Sequence, residues 1–249
     1  MHNEFETEKK QIGMGKQAAV YLYDGFAYKV YKPPYPVTWI EYEIENQQKL
    51  CKTNLPVVNY FKTEDPYVIK MDYIDGISLG ERIKSQGYKQ GVEDLIRLQK
   101  EIHLIQNIDL PKITERFFSQ LEKIDYENKY KTLGLKLLKE VEDKDSLCHL
   151  DFHFNNVMFS NDRYFIIDWV NIGVCNPIFD FARTYVILYE YVNRMSQKYL
   201  SLLKKDKSIE TKDLYKAIYI MALLRTAEGA GPRVYDLIEK TYDMVLQNE

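Results

Sequence analysis

The spacing of apolar residues in this 249-residue chain changes once, near Gly76, and that change limits the fold more than any other feature. Before it, residues 11–23, 26–31 and 67–73 are rich in β-branched and aromatic side chains and predict strands. One helix interrupts them over residues 38–51. It follows the Pro33-Pro34-Tyr35-Pro36 breaker, takes Thr38 as its N-cap, and sets Ile40, Ile44, Gln47 and Leu50 at helical spacing. Beyond Gly76 the spacing predicts helices over 91–107, 114–128, 132–143, 179–205, 211–229 and 232–247. The length allows one large or two small cores. The expectation is an α+β chain of two lobes: strand-rich over residues 1–75, mainly helical over residues 76–249.

Charge and cysteine usage exclude several classes of partner. The 34 basic and 37 acidic side chains are interspersed, and no basic block is long enough to neutralise a nucleic-acid backbone, so none is expected to bind. The amino terminus is acidic without an apolar core, and the longest strongly apolar stretch is residues 219–224; secretion and membrane spanning are therefore not expected. Cys51, Cys148 and Cys175 are odd in number and widely spaced, which fits neither a disulfide framework nor a metal knuckle and suggests the reducing cytoplasm.

Two stretches carry candidate chemistry. The first is Gly13-Met14-Gly15-Lys16-Gln17-Ala18-Ala19-Val20, between two expected strands, where glycines let backbone N–H groups approach a phosphate. Asp24-Gly25 downstream is a two-residue hairpin signal that pairs Tyr23 with Phe26, Leu22 with Ala27, Tyr21 with Tyr28 and Val20 with Lys29. Lys29 then stands beside the loop exit as a cation in reach of phosphates. A partly buried ammonium needs an anion, and the following helix offers Glu41, Glu43 and Glu45.

The second stretch runs from Cys148 to Ser160 and contains His149-x-Asp151-x-x-x-x-Asn156. A polar turn at Asn161-Asp162-Arg163 and the apolar run Tyr164-Phe165-Ile166-Ile167 make it a hairpin, which brings Asn156 beside Asp168. One amide oxygen and one carboxylate, next to phosphate oxygens, suit Mg²⁺. Asp151, on the loop before the hairpin, is placed to accept the proton of a hydroxyl that attacks a γ-phosphate, and is assigned as the base. By likeness to the corresponding kinase motif, His149 is expected to hold the loop.

The segment resembles the His-Gly-Asp-x-His-x-x-Asn pattern of the aminoglycoside phosphotransferase and choline kinase group: His149, Asp151, His153 and Asn156 match, with Leu150 in place of the glycine. Ile167-Asp168-Trp169 and Asn176-Pro177-Ile178-Phe179-Asp180-Phe181-Ala182-Arg183-Thr184 resemble the downstream elements of that group. Phe154-Asn155 replace the usual Pro-Gly. The resemblance implies a bilobal protein-kinase-like fold and selects Glu43, seven residues before Leu50, as the partner of Lys29. It also implies a nucleotide site that includes Gly13, Gly15, Val20, Ala27 and Lys29, with Met71, Asp72 and Ile74 at an adenine hinge. Asp180 becomes a structural acid under the catalytic loop. His103 is read as a packed core histidine.

The implied reaction is Mg²⁺-dependent transfer of the γ-phosphate of ATP or GTP to a small-molecule hydroxyl, on an aminoglycoside-, choline- or sugar-like acceptor. Only eleven residues separate Asp168 from Asp180, too few for a regulated activation segment, which argues against a kinase acting on protein. A nucleotide-binding pseudokinase is disfavoured because Lys29, Glu43, Asp151, Asn156 and Asp168 are all present. Glu190, Asp206, Glu210, Asp213, Glu228 and Asp236 are candidate attractors for a cationic acceptor. No oligomeric state is specified.

Overall fold

The amino-terminal strands pair as their turns dictate. The computed structural model describes residues 2–15 and 17–247, so Lys16 of the glycine-containing loop lies outside the described residues. A short helix, α1 (His2–Glu8), sets Phe5 against Tyr21, Tyr23 and Tyr28. Then β1 (Lys10–Met14), β2 (Ala18–Tyr23), β3 (Phe26–Tyr31), β4 (Tyr60–Lys62) and β5 (Val68–Asp72) form one antiparallel sheet in the order β1-β2-β3-β5-β4. Asp24 and Gly25 have φ of 46° and 73°, the two left-handed positions of a tight hairpin turn, and they fix the register that pairs Val20 with Lys29.

The helix that crosses this sheet, α2 (Val37–Leu50), buries Ile40, Glu43, Ile44, Gln47 and Leu50. The expected Thr38 cap is overturned. Pro36 is the last extended residue, at φ −67° and ψ 123°, so Thr38 already lies in the first turn and no side chain caps the helix. A small core of Ala18, Tyr31, Ile40, Ile44, Val58, Tyr60 and Ile69 fills the space between α2 and the sheet.

The remaining chain builds the larger, helical lobe. A two-residue strand, β6 (Ile77–Ser78), leads into α3 (Leu79–Gln86), α4 (Gly91–His103), α5 (Thr114–Lys123) and α6 (Asn128–Glu140). Strand β7 (Ser146–Cys148) precedes the hairpin β8 (Val157–Ser160) and β9 (Arg163–Ile166), and β10 (Gly173–Cys175) returns to pair with β7. Helices α7 (Pro177–Tyr191), α8 (Asn193–Lys205), α9 (Thr211–Thr226) and α10 (Pro232–Leu246) complete it. The single helix expected over 179–205 is broken at Val192, with φ −140° and ψ 59°. Buried along most of its length, α7 runs through the core, whereas α8 has one apolar face and turns to lay Ser196, Tyr199 and Leu203 inward. Among the described residues, no helix is long and apolar enough to cross a membrane.

Candidate active site

The loop after β7 is held from three sides. Asp180, on the first turn of α7, accepts hydrogen bonds from the backbone N–H of Leu150 at 2.7 Å and of His149 at 3.3 Å, and its Oδ2 lies 2.8 Å from His103 Nε2. His103 is thus buried, as read from the sequence, and also bound to the brace. Burial pushes the Asp180 carboxyl up, but His103, His149 and the Leu150 amide together hold it below the usual carboxylate range. His149 Nε2 meets Ile167 O at 3.0 Å while Nδ1 accepts the Asp151 amide at 3.3 Å, so the proton sits on Nε2. Thr184 donates to Phe152 O at 2.8 Å and accepts from Gln99 Nε2 at 3.0 Å. Leu150 takes φ 60°, a left-handed conformation that costs a leucine about 1–2 kcal/mol, at the position where the resembling pattern has glycine.

The hairpin that follows sets the two candidate oxygen ligands together. Asn161 and Asp162, at φ 48° and 58°, make a two-residue turn that pairs Ser160 with Arg163 and Val157 with Ile166. The ladder continues through Ile167 N to Asn156 O at 3.0 Å, one residue short of Asp168. Asn156 Nδ2 donates to Asp151 O at 2.9 Å, which ties the base candidate to the ligand candidate and leaves Asn156 Oδ1 as the candidate coordinating atom. The Asp168 side chain is 44% exposed, leaving room for water on a bound cation. Burial alone raises the Asp168 carboxyl, but the Lys29 ammonium and the nearby His149 and His153 hold it below the usual range. An ionised carboxylate and an amide oxygen are hard donors, so these residues fit Mg²⁺.

Lys29 joins this hairpin to the sheet. Its Nζ lies 2.8 Å from Glu43 Oε1 and 3.2 Å from Asp168 Oδ1. Burial lowers its ammonium, but Asp168 and Glu43 outweigh burial and hold it well above the usual lysine value. Glu43 is buried and its second oxygen accepts from Tyr31 OH, whereas Glu41 and Glu45 are exposed on the far side of α2. Tyr31 and the buried Tyr60 were not anticipated. Tyr31 stands two residues from Lys29 in β3, and a period-2 reading of that strand would have put both on one face.

Directly opposed residues of antiparallel strands share a face. The pairs Gly13–Val20, Val20–Lys29 and Ala27–Met71 therefore place all five of these candidate nucleotide-site residues on the face that carries Lys29. A Cβ on Gly13 would come within 3.4 Å of Val20, and Gly15 N donates to Ala18 O at 2.8 Å. Asp72 pairs with Phe26 and its carboxylate accepts from Asn59 N and Nδ2 at 3.0 and 2.7 Å, while Ile74 packs on the small core.

The carboxylates expected to attract a cation are largely engaged. Arg183 binds Glu228 at 2.5 Å; Arg225 binds Glu228 at 2.5 Å and Glu190 at 2.8 Å. Asp206 is paired with Lys100, and Asp213 lies 3.5 Å from Lys216.

The sequence matches the phosphotransferase enzyme family over residues 10–199. No curated protein matches it by sequence. Among solved structures, choline kinase LicA from Streptococcus pneumoniae is 14% identical over 98% of this chain and 97% of that one, with a TM-score of 0.65. The ADP-bound aminoglycoside phosphotransferase APH(2'')-Ib is 16% identical over 98% and 97%, with a TM-score of 0.60. The streptomycin-ATP-APH(2")-IIa complex is 17% identical over 99% and 94%, with a TM-score of 0.59. At such identities the likeness speaks for the fold, and the family match covers most of the chain. The chain belongs to the phosphotransferase enzyme family and is a bilobal, kinase-fold phosphotransferase.

Proposed function

We propose that the protein transfers the γ-phosphate of ATP or GTP to a hydroxyl of a small molecule, with Mg²⁺, in the cleft between residues 1–75 and residues 76–249. The observation that carries this reading is Lys29, bonded at once to Glu43 of one lobe and Asp168 of the other. The nucleotide solved with the similar aminoglycoside phosphotransferases supports a nucleoside phosphate as donor.

In this reading Lys29, steadied by Glu43, binds the donor's α- and β-phosphates under the Gly13–Gly15 turn. Val20, Ala27 and Met71 line the base, and the backbone from Asp72 to Ile74 bonds its edge. Asn156 Oδ1 and the Asp168 carboxylate would hold the metal. When bound, Mg²⁺ supplies positive charge against the phosphate oxygens. Asp151 orients the acceptor hydroxyl and takes its proton as the new O–P bond forms. The bond from phosphorus to the β–γ bridging oxygen breaks, and its electron pair leaves on the nucleoside diphosphate. Asp180, His103 and Thr184 fix the loop so that Asp151 need not be ordered at the moment of reaction.

A small acceptor fits better than a protein. The short connection from Asp168 to Asp180 is consumed by β10, which pairs with β7, leaving no free segment to dock a polypeptide. All three cysteines are free thiols, in keeping with the cytoplasm.

Turnover with Mg²⁺, ATP or GTP, and a panel of amino-sugar, choline-like and sugar alcohol acceptors tests the reading. Asp151→Asn is expected to depress turnover by about 10²–10⁴-fold with nucleotide affinity retained, and Asp168→Ala to weaken metal-dependent nucleotide binding as well. Full activity in both variants would overturn the assignment.

A further inference from the structure

Arg116, Arg183 and Arg225 of the helical lobe differ in how they are partnered. Arg183 and Arg225 share Glu228, and Arg225 also holds Glu190. Arg116 on α5 has no carboxylate partner among the described residues: Nη2 donates to Asn171 O at 3.3 Å, and Nε is buried with no hydrogen-bond partner. Its position follows from its neighbours. Asn171 lies three residues beyond Asp168, and Arg183 precedes Thr184, which binds the carbonyl next to Asp151. Both arginines therefore border the segments that carry Asp168 and Asp151.

A guanidinium withdrawn from water without an anion is unfavourable, because only a partner offsets the lost hydration. Burial holds Arg116 below the usual arginine value, and the like charge of Arg183 adds to that against the opposing pull of Cys175, Tyr42 and Glu228. The planar fork of arginine matches phosphate and carboxylate oxygens in pairs. Of the carboxylates expected to attract a cation, Glu190, Asp206, Asp213 and Glu228 are paired with basic side chains, whereas the Arg116 guanidinium has no carboxylate partner among the described residues.

We propose that Arg116, reinforced by the charge of Arg183, forms an anion subsite in the acceptor half of the cleft, and that the acceptor is a hydroxyl compound bearing a phosphate or carboxylate. This rests on the phosphoryl-transfer reading above. It predicts discrimination against amino sugars by the charge of Arg116.

The test uses the full chain with ADP and Mg²⁺ filling the nucleotide site, and compares wild type with Arg116→Gln and Arg116→Lys. The first probe is inorganic sulfate, followed by thermal unfolding at constant ionic strength. Saturable stabilisation in wild type, weakened about ten-fold or more in affinity in Arg116→Gln and partly kept in Arg116→Lys, is the expected result for loss of a charge-assisted contact. Equal sulfate affinity in wild type and Arg116→Gln would overturn the subsite. Retained ADP affinity in both variants reports an intact fold. Glucose 6-phosphate and glucuronate then distinguish phosphate from carboxylate as the group bound, with glucose and glucosamine as neutral and cationic controls. Preference for glucosamine over both anions would overturn the proposal, and Asp151-dependent turnover of glucosamine would do so while leaving phosphoryl transfer standing.

Discussion

Glu41, Glu43 and Glu45 differ little in chemistry, and only the buried face of α2 separates the one that matters from the other two. Glu43 accepts from Lys29 on one oxygen and from Tyr31 on the other, so neutralising it leaves a buried cation short of a partner. Because Asp168 remains beside Lys29, Glu43→Gln is expected to destabilise the protein by about 1–3 kcal/mol in urea unfolding, less than loss of a sole buried partner. Nucleotide affinity should fall with it, while Glu41→Gln and Glu45→Gln change neither. An unaltered Glu43→Gln would mean that Asp168 alone satisfies the lysine. Leu150 shows a different balance at the same scale. Its left-handed backbone is unfavourable, but its side chain is 3% exposed, and burying a leucine contributes about 1.5–3 kcal/mol, enough to offset the strain.

Among the elements, the β8–β9 hairpin does the most to shape the site, because its turn sets the register that puts Asn156 beside Asp168. Both turn residues are left-handed, and Asp162 occupies the second position, where glycine meets no Cβ penalty. Asp162→Gly is expected to raise stability by about 0.5–1 kcal/mol, read as a higher urea midpoint at unchanged slope. A lower midpoint would show that the Asp162 side chain contributes more than its backbone strain removes. The break at Val192 is also decided at this scale. α7 and α8 each have good helical sequence, but they bury different amounts of surface against different neighbours, and one straight rod cannot satisfy both.

For the whole molecule, ion pairs tie distant segments together and make stability depend on pH. Asp180 joins α7 to the loop that carries Asp151 and to His103 of α4, and its folded carboxyl titrates below the usual aspartate value. The stability it contributes is present above about pH 4, the unfolded value, and is lost as pH falls toward the lower folded value. Asp168, paired with Lys29, titrates in the same direction. Urea unfolding between pH 5 and 3 should show a shallower acid decline in Asp180→Asn than in wild type; parallel declines would mean that the folded Asp180 carboxyl is not depressed. The sequence by itself determined whatever depends on neighbours a few residues apart. Asp24-Gly25 set the β2–β3 register, the helical period of α2 put Glu43 and Leu50 on one face, and the run from His149 to Asp168 displayed the polar groups of a hairpin mouth. Where the signal was short or the partner remote, only the tertiary structure decided. Three-residue β4 is too brief to alternate visibly and exists because β5 pairs with it. The link from Asp180 to His149 spans 31 residues and the tie from Lys29 to Asp168 spans 139, so no local pattern encodes either. The pairing of carboxylates in the helical lobe was decided in the same way: Glu190 and Glu228 look free in the sequence, and it is packing of α7 against α9 that brings Arg183 and Arg225 onto them.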